Sequence, residues 1–129
     1  MKWSVAAGII LLGLGLRPAA LAHHSFAAEF DSSKPVRLQG VLSKIEWSNP
    51  HVYLWIEAKE STGNVSTWVC EGASPVALTR KGFQRASAKP GANTVLEGYA
   101  AKDGSHRMKI NRIYLDNKLV FEQAEQEGQ

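Results

Sequence analysis

Residues 38–58 read LQGVLSKIEWSNPHVYLWIEA, and their alternation decides the fold class. After the Ser48-Asn49-Pro50 corner, Val52, Leu54, Ile56 and Ala58 take one side of an extended chain, while His51, Tyr53, Trp55 and Glu57 take the other. Such period-two alternation marks a β-strand with one buried face, and the aliphatic set is the expected core. Upstream, Val36 and Leu38 are apolar at even positions, whereas Val41, Ile45 and Trp47 fall at odd ones. A one-residue slip exchanges the two faces of a strand. Gly40 lies at the slip, where a glycine suits a bulge or a sharp bend. The stretch is therefore expected to form two long strands around a tight corner, the first bent at Gly40 so that it serves both sides of a small barrel.

Working outward, Phe26 to Lys34 shows no clear period and reads as a lead-in. Ser61-Thr62-Gly63-Asn64 is a turn, followed by a third strand, Val65 to Glu71, with Trp68 and Cys70 on one side. Ser74 and Pro75 signal a helix start, a capping serine followed by proline in the first helical position. The short helix, Val76 to Lys81, is expected to stop at Gly82, with Phe83 folding back onto the core. Lys89-Pro90-Gly91 fits a type II turn. A fourth strand over Thr94 to Ala101, a hairpin at 102–105 and a fifth strand over His106 to Leu115 follow, then a short closing strand, Leu119 to Phe121. Three strands, a short helix and two further strands describe a mainly β chain, a five-stranded OB-fold-like barrel with the helix between strands three and four. Another small β-barrel or sandwich decorated with a helix is the alternative. The barrel domain is expected to span residues 36–121, with an arm at 23–35 and a polar tail at 122–129.

The first 22 residues are read as an export signal. Lys2 precedes an apolar run, Val5 to Leu16, which is short for a bilayer span, and Ala20-Leu21-Ala22 supplies the small residues of a cleavage site. Cleavage between Ala22 and His23 leaves a periplasmic or secreted chain of 107 residues with no stable membrane span. It also removes Lys2 and Arg17, leaving 13 basic against 12 acidic residues, a net charge of +1. A near-neutral chain lacks the clustered cations that nucleic-acid binding needs, so no nucleic-acid partner is expected. Cys70 is the single cysteine, which excludes an internal disulfide. Its expected state is buried and inert.

AHHSFAAEFD after the cleavage site, KPVRLQGVLSKIEWSNPHVYLWIEA, GASPVALTRKGF and KPGANTVLEGYAAKDG together resemble a family of short exported bacterial proteins of unknown function. The Ala22-His23-His24-Ser25 start and the Trp47-x-Asn49-Pro50-His51 corner are the most specific pieces. The resemblance implies export and a small barrel-like domain, and no particular activity.

Two binding readings arise from the residues. In the first, the face of strand two opposite its core residues presents His51, Tyr53 and Trp55, with Trp68 as a neighbour if strand three pairs with strand two. Flat aromatics on such a face stack on ligands; the competing reading packs the same rings beneath the arm, Phe83 or the C-terminal extension. The occupant would be a small molecule or a periplasmic protein. In the second, a processed N-terminal His23 chelates copper through its α-amino group and imidazole, with His24 beside it and His51 as third nitrogen; amine and imidazole nitrogens suit Cu(II). Against it, no histidine pair shows the spacing that marks a metal site, and His51 has a purely local alternative, bonding to its own corner. Enzymatic activity is not expected. Glu46, Glu57, Glu71 and Glu97 share no catalytic spacing, Ser25, Ser48 and Ser74 lack a nucleophile elbow, and no local motif supports a thiol–imidazole pair of Cys70 with His51.

Overall fold

The computed structural model describes residues 26–124. The apolar leader, the cleavage point, His23, His24 and the last residues of the polar tail lie outside the described residues. Residues 26–29 are helical and run directly into β1 (Phe30–Glu46). There follow β2 (Tyr53–Lys59), β3 (Val65–Glu71), a helix α1 (Pro75–Arg80), a 3-10 turn (Arg85–Ser87), β4 (Asn93–Ala101), β5 (Arg107–Leu115) and β6 (Lys118–Glu122). The chain is mainly β, with six strands hydrogen-bonded in the order β3-β2-β1-β4-β5-β6. A parallel pairing of β3 with β5, Val69 opposite Arg107 and Glu71 opposite Lys109, links the two halves of the sheet. Pairing therefore runs in a closed circuit, β1 to β2 to β3 to β5 to β4 and back to β1, with β6 added outside it along β5.

Three expectations are corrected. β1 begins at Phe30, inside the stretch read as an aperiodic arm, because Phe30 pairs with Ala101 and is buried. The exposed residues Ser32 to Lys34 hide that strand from any periodicity test. The short closing strand expected over Leu119 to Phe121 is present as β6, hydrogen-bonded along β5 with Phe121 over Ile113, so the sheet has six strands instead of the five of the expected barrel. The switch of faces in β1 occurs at Ser43 instead of Gly40: Leu42 pairs with Ile56 and Lys44 with Trp55, leaving Ser43 as the extra residue of a bulge. Leu42 is consequently 0% exposed while Val41 is 40% exposed. Gly40 serves another purpose. A Cβ there would lie 2.3 Å from the Glu57 carbonyl oxygen, so the bare backbone is what lets β1 cross closely over β2. β1 pairs with β4 from Pro35 to Val41 and with β2 from Val41 to Glu46, and Gly40 lies just before this exchange of partners.

The core lies inside the circuit. Val52, just before β2, and Leu54, Ile56 and Ala58 of β2 enter it as their alternation requires, joined by Leu38, Leu42, Cys70, Leu96, Met108, Ile110 and Ile113. Helix α1 is capped by Ser74, whose hydroxyl accepts the Ala77 N–H at 3.3 Å, and it buries Leu78. The chain after α1 returns Phe83 to the core at 0% exposure, its ring 5.9 Å from that of Trp47. Cys70 is buried among these groups, and desolvation pushes its thiol far above its usual range. Burial of this kind is the usual setting of a structural cysteine.

Candidate functional site

The outward side of β2 is organised by the strand that follows it. The β2–β3 register places Tyr53 opposite Glu71 and Trp55 opposite Val69. The β3–β5 pairing then places Lys109 beside Glu71 and Arg107 beside Val69. Because side chains alternate along a strand, these residues share one outer face. Its centre is Glu71, whose side chain is 13% exposed and which forms an ion pair with Lys109, 15% exposed, at 2.7 Å. The second Glu71 oxygen accepts from the Tyr53 hydroxyl at 3.4 Å. Lys109 Nζ also donates to the Gly72 carbonyl at 3.2 Å.

His51 closes this network from the corner. Its Nδ1 lies 3.2 Å from the Gly72 carbonyl, which only accepts, so Nδ1 carries the proton. Its Nε2 lies 3.5 Å from Glu71 Oε1. The corner is latched by backbone: Val52 N–H donates to Ala73 O at 3.0 Å and Gly72 N–H to Val52 O at 2.7 Å. Burial, then the Glu71 carboxylate, raises the Tyr53 phenol above its usual range, so it acts here as a neutral donor.

Beyond this polar centre, Tyr53 and Trp55 lie side by side with ring centroids 6.2 Å apart. Lys44, from the neighbouring β1, sits 4.3 Å over the Trp55 ring, a cation–π contact. Both aromatics are half-buried, with one side on the sheet and the other toward solvent.

The structure thus brings together His51, Tyr53 and Trp55. It does not bring Trp68 to them. Trp68 pairs with Ile56 and shares its inward side, packed against the core and stacked on His106 at 5.0 Å. Membership of the outer face follows from residue parity, and Trp68 has the parity of Cys70. Cys70 is likewise inside, pairing with Leu54, while His51 is bonded to the Gly72 carbonyl and lies against Glu71 on the outer network. His106 faces Glu60 at 3.6 Å, in a separate contact. Among the described residues no group of three or more His, Cys, Asp or Glu is placed to hold a metal ion. Glu71 and Lys109 were not singled out by spacing. The parity of Glu71 against Cys70 already puts it on the Tyr53 side, but its contact with Lys109 depends on the parallel β3–β5 pairing, which leaves no local trace.

A family model described as a family of unknown function (DUF6152) matches residues 13–109. The chain belongs to that family. The match to DUF6152 covers both the corner and the strands that build the outer face. No curated protein matches the chain. Among solved structures, a crystal structure of the ZRD-deleted mutant of TiaS in complex with agmatine is similar at 18% identity and a TM-score of 0.46. That similarity covers 75% of this chain and 24% of the other, so the chain spans about a quarter of that protein's length. No helix among the described residues is long and apolar enough to cross a membrane.

Proposed function

We propose that this DUF6152 chain is an exported, non-enzymatic binding module, an OB-like barrel that holds a ligand or a protein partner on the outer face of β2 and β3. The closed pairing circuit, with α1 between β3 and β4, supports the barrel reading. The leader ending at Ala22 supports a periplasmic or secreted location. The observation that carries the binding reading is the Tyr53–Trp55 pair, half-exposed beside the His51 imidazole and a Glu71 carboxylate that Lys109 holds in place. A pre-ordered polar cluster beside rigid aromatic rings lowers the entropy lost on binding. Trp68, on the inward side, has no part in it.

A fragment screen followed by heteronuclear NMR tests this reading on the processed protein. Hits are expected to shift the Trp55 indole and the Tyr53 and Val69 amides. Hits that gather elsewhere, for example in the concavity lined by Arg37, Glu97, Tyr99 and Arg112, or no hits at all, would sink it.

A second reading is a copper protein, and the entry of the chain favours it. The Phe26 ring lies 6.0 Å from Tyr99. Tyr99 pairs with Lys109, and Lys109 with Glu71, the residue that holds His51. The chain therefore enters the described region beside β4, which pairs with the β5 strand whose Lys109 holds the Glu71 next to His51. In this reading the freed His23 amine and imidazole, with His24 near them, chelate Cu(II) and His51 Nε2 completes the set. Calorimetric titration with Cu(II) should then give a one-to-one complex that His51→Ala, or one residue added before His23, abolishes. Binding indifferent to both changes would remove the copper reading.

A further inference from the structure

The geometry points to a neutral oligosaccharide as the ligand class of the Tyr53–Trp55 face, an inference that rests on the binding reading above and narrows it. The first argument is shape. Two concavities of about 290 Å³ each lie elsewhere, one on β1, β4 and β5 and the other on α1. Neither is lined by Tyr53 or Trp55. A small ligand that must be engulfed would seek a pocket, whereas the aromatic face is an open platform suited to an extended chain lying across a sheet.

The second argument is charge. Each cation of the face already has a carboxylate partner: Lys44 with Glu46 at 3.8 Å, Arg107 with Glu29 at 3.4 Å and Lys109 with Glu71 at 2.7 Å. A polyanion such as a single-stranded nucleic acid is held by cations free to neutralise phosphates, and this face offers a balanced set instead.

The third argument is hydrogen bonding. Lys44, the Tyr53 hydroxyl and Arg107 are donors around the two rings, and Glu46 and Glu71 are acceptors. A sugar hydroxyl both donates and accepts, and the C–H side of a pyranose presents a weakly positive surface to the negative face of an indole, where it would replace the Lys44 ammonium that lies over Trp55. An apolar peptide would instead strip water from these polar groups and add no hydrogen bond to them, at a cost for each one buried. Balanced charges, mixed donors and acceptors, and two adjacent rings on the outside of the sheet together match an uncharged chain of sugars.

The test titrates the processed protein with maltohexaose, cellohexaose and chitohexaose, with hexathymidylate as a flat-ringed polyanion, and follows the Trp55 indole and Tyr53 amide by NMR. At least one neutral saccharide is expected to give a saturable shift that a tenfold rise in salt leaves unchanged. Trp55→Ala should weaken it roughly tenfold or more. Trp55→Phe, which keeps a ring and the packing on the sheet, should weaken it less; it also serves if the alanine variant does not fold. Saccharides that leave Trp55 unmoved while fragments still collect on it would overturn the sugar class and keep the binding face. If neither saccharides nor fragments reach Trp55, both readings fall. Hexathymidylate binding that salt abolishes would assign the face to a polyanion and overturn the proposal.

Discussion

Gly98→Ala is expected to cost about 4 kcal/mol or more, a large share of the roughly 5–15 kcal/mol that holds a domain of this size together. Gly98 lies in β4, between β1 and β5, pairing with Val36 on one side and Ile110 on the other. The β4–β5 register shifts between Glu97 and Gly98, which brings the two backbones unusually close. A Cβ at this position would lie 1.8 Å from the Lys109 carbonyl oxygen and 2.8 Å from its carbon. Those atoms are backbone, so no rotamer change relieves the overlap. β4 is also flanked on both sides, so neither strand can yield without breaking a ladder. The consequence reaches the candidate site, because the displaced residue is Lys109, whose ammonium holds Glu71 at 2.7 Å. Urea denaturation of the variant beside the parent protein checks this. A loss of stability below about 1 kcal/mol would show that the circuit deforms easily at this crossing and that the register there is not pinned.

Phe83→Ala carries the second large effect, about 3–5 kcal/mol, the range for removing a fully buried aromatic ring. Phe83 is 0% exposed although it lies outside every strand and helix. Its N–H donates to the Leu78 carbonyl at 3.0 Å, which ties it to the end of α1. Its ring meets Trp47, the last large residue before the corner that positions His51. One side chain thus couples the α1 connection to that corner, and its loss leaves a void that strand backbones cannot close. Phe83→Leu, which keeps most of the volume, should cost about 1 kcal/mol. Thermal unfolding of the two variants, with Trp47 fluorescence as a local reporter, separates them. Equal and small losses in both would show that Phe83 only covers the core and does not fill it.

Much of this architecture is legible in residue order, and the places where it is not share one cause. The clean alternation of residues 51–58 sorts His51, Tyr53 and Trp55 from the core, and the structure keeps that sorting. The Ser74 cap, the third strand and the return of Phe83 are likewise local signals read correctly. The bulge position is harder. Val41 and Leu42 are both aliphatic and adjacent, so hydrophobicity alone does not say which one enters the core. That choice belongs to the partner strands: Ala92 O accepts from the Leu42 N–H at 3.0 Å, and Ile56 lies opposite Leu42.

The sequence by itself determined the β class, the inward and outward sets of β2 and the α1 start. Short-range alternation, caps and composition are properties of neighbouring residues, so they need no partner to be read. Only the tertiary structure decided that β1 reaches back to Phe30, that Trp68 stacks on His106, and that Glu71 becomes the centre of the outer face. Each of these depends on a contact between distant strands. The β3–β5 pairing joins residues 69–71 to 107–109, and the order of residues along a chain does not state which strand will lie beside which. The candidate site is built from such a juncture: β2 supplies the rings, β3 the carboxylate and β5 the lysine that holds it in place.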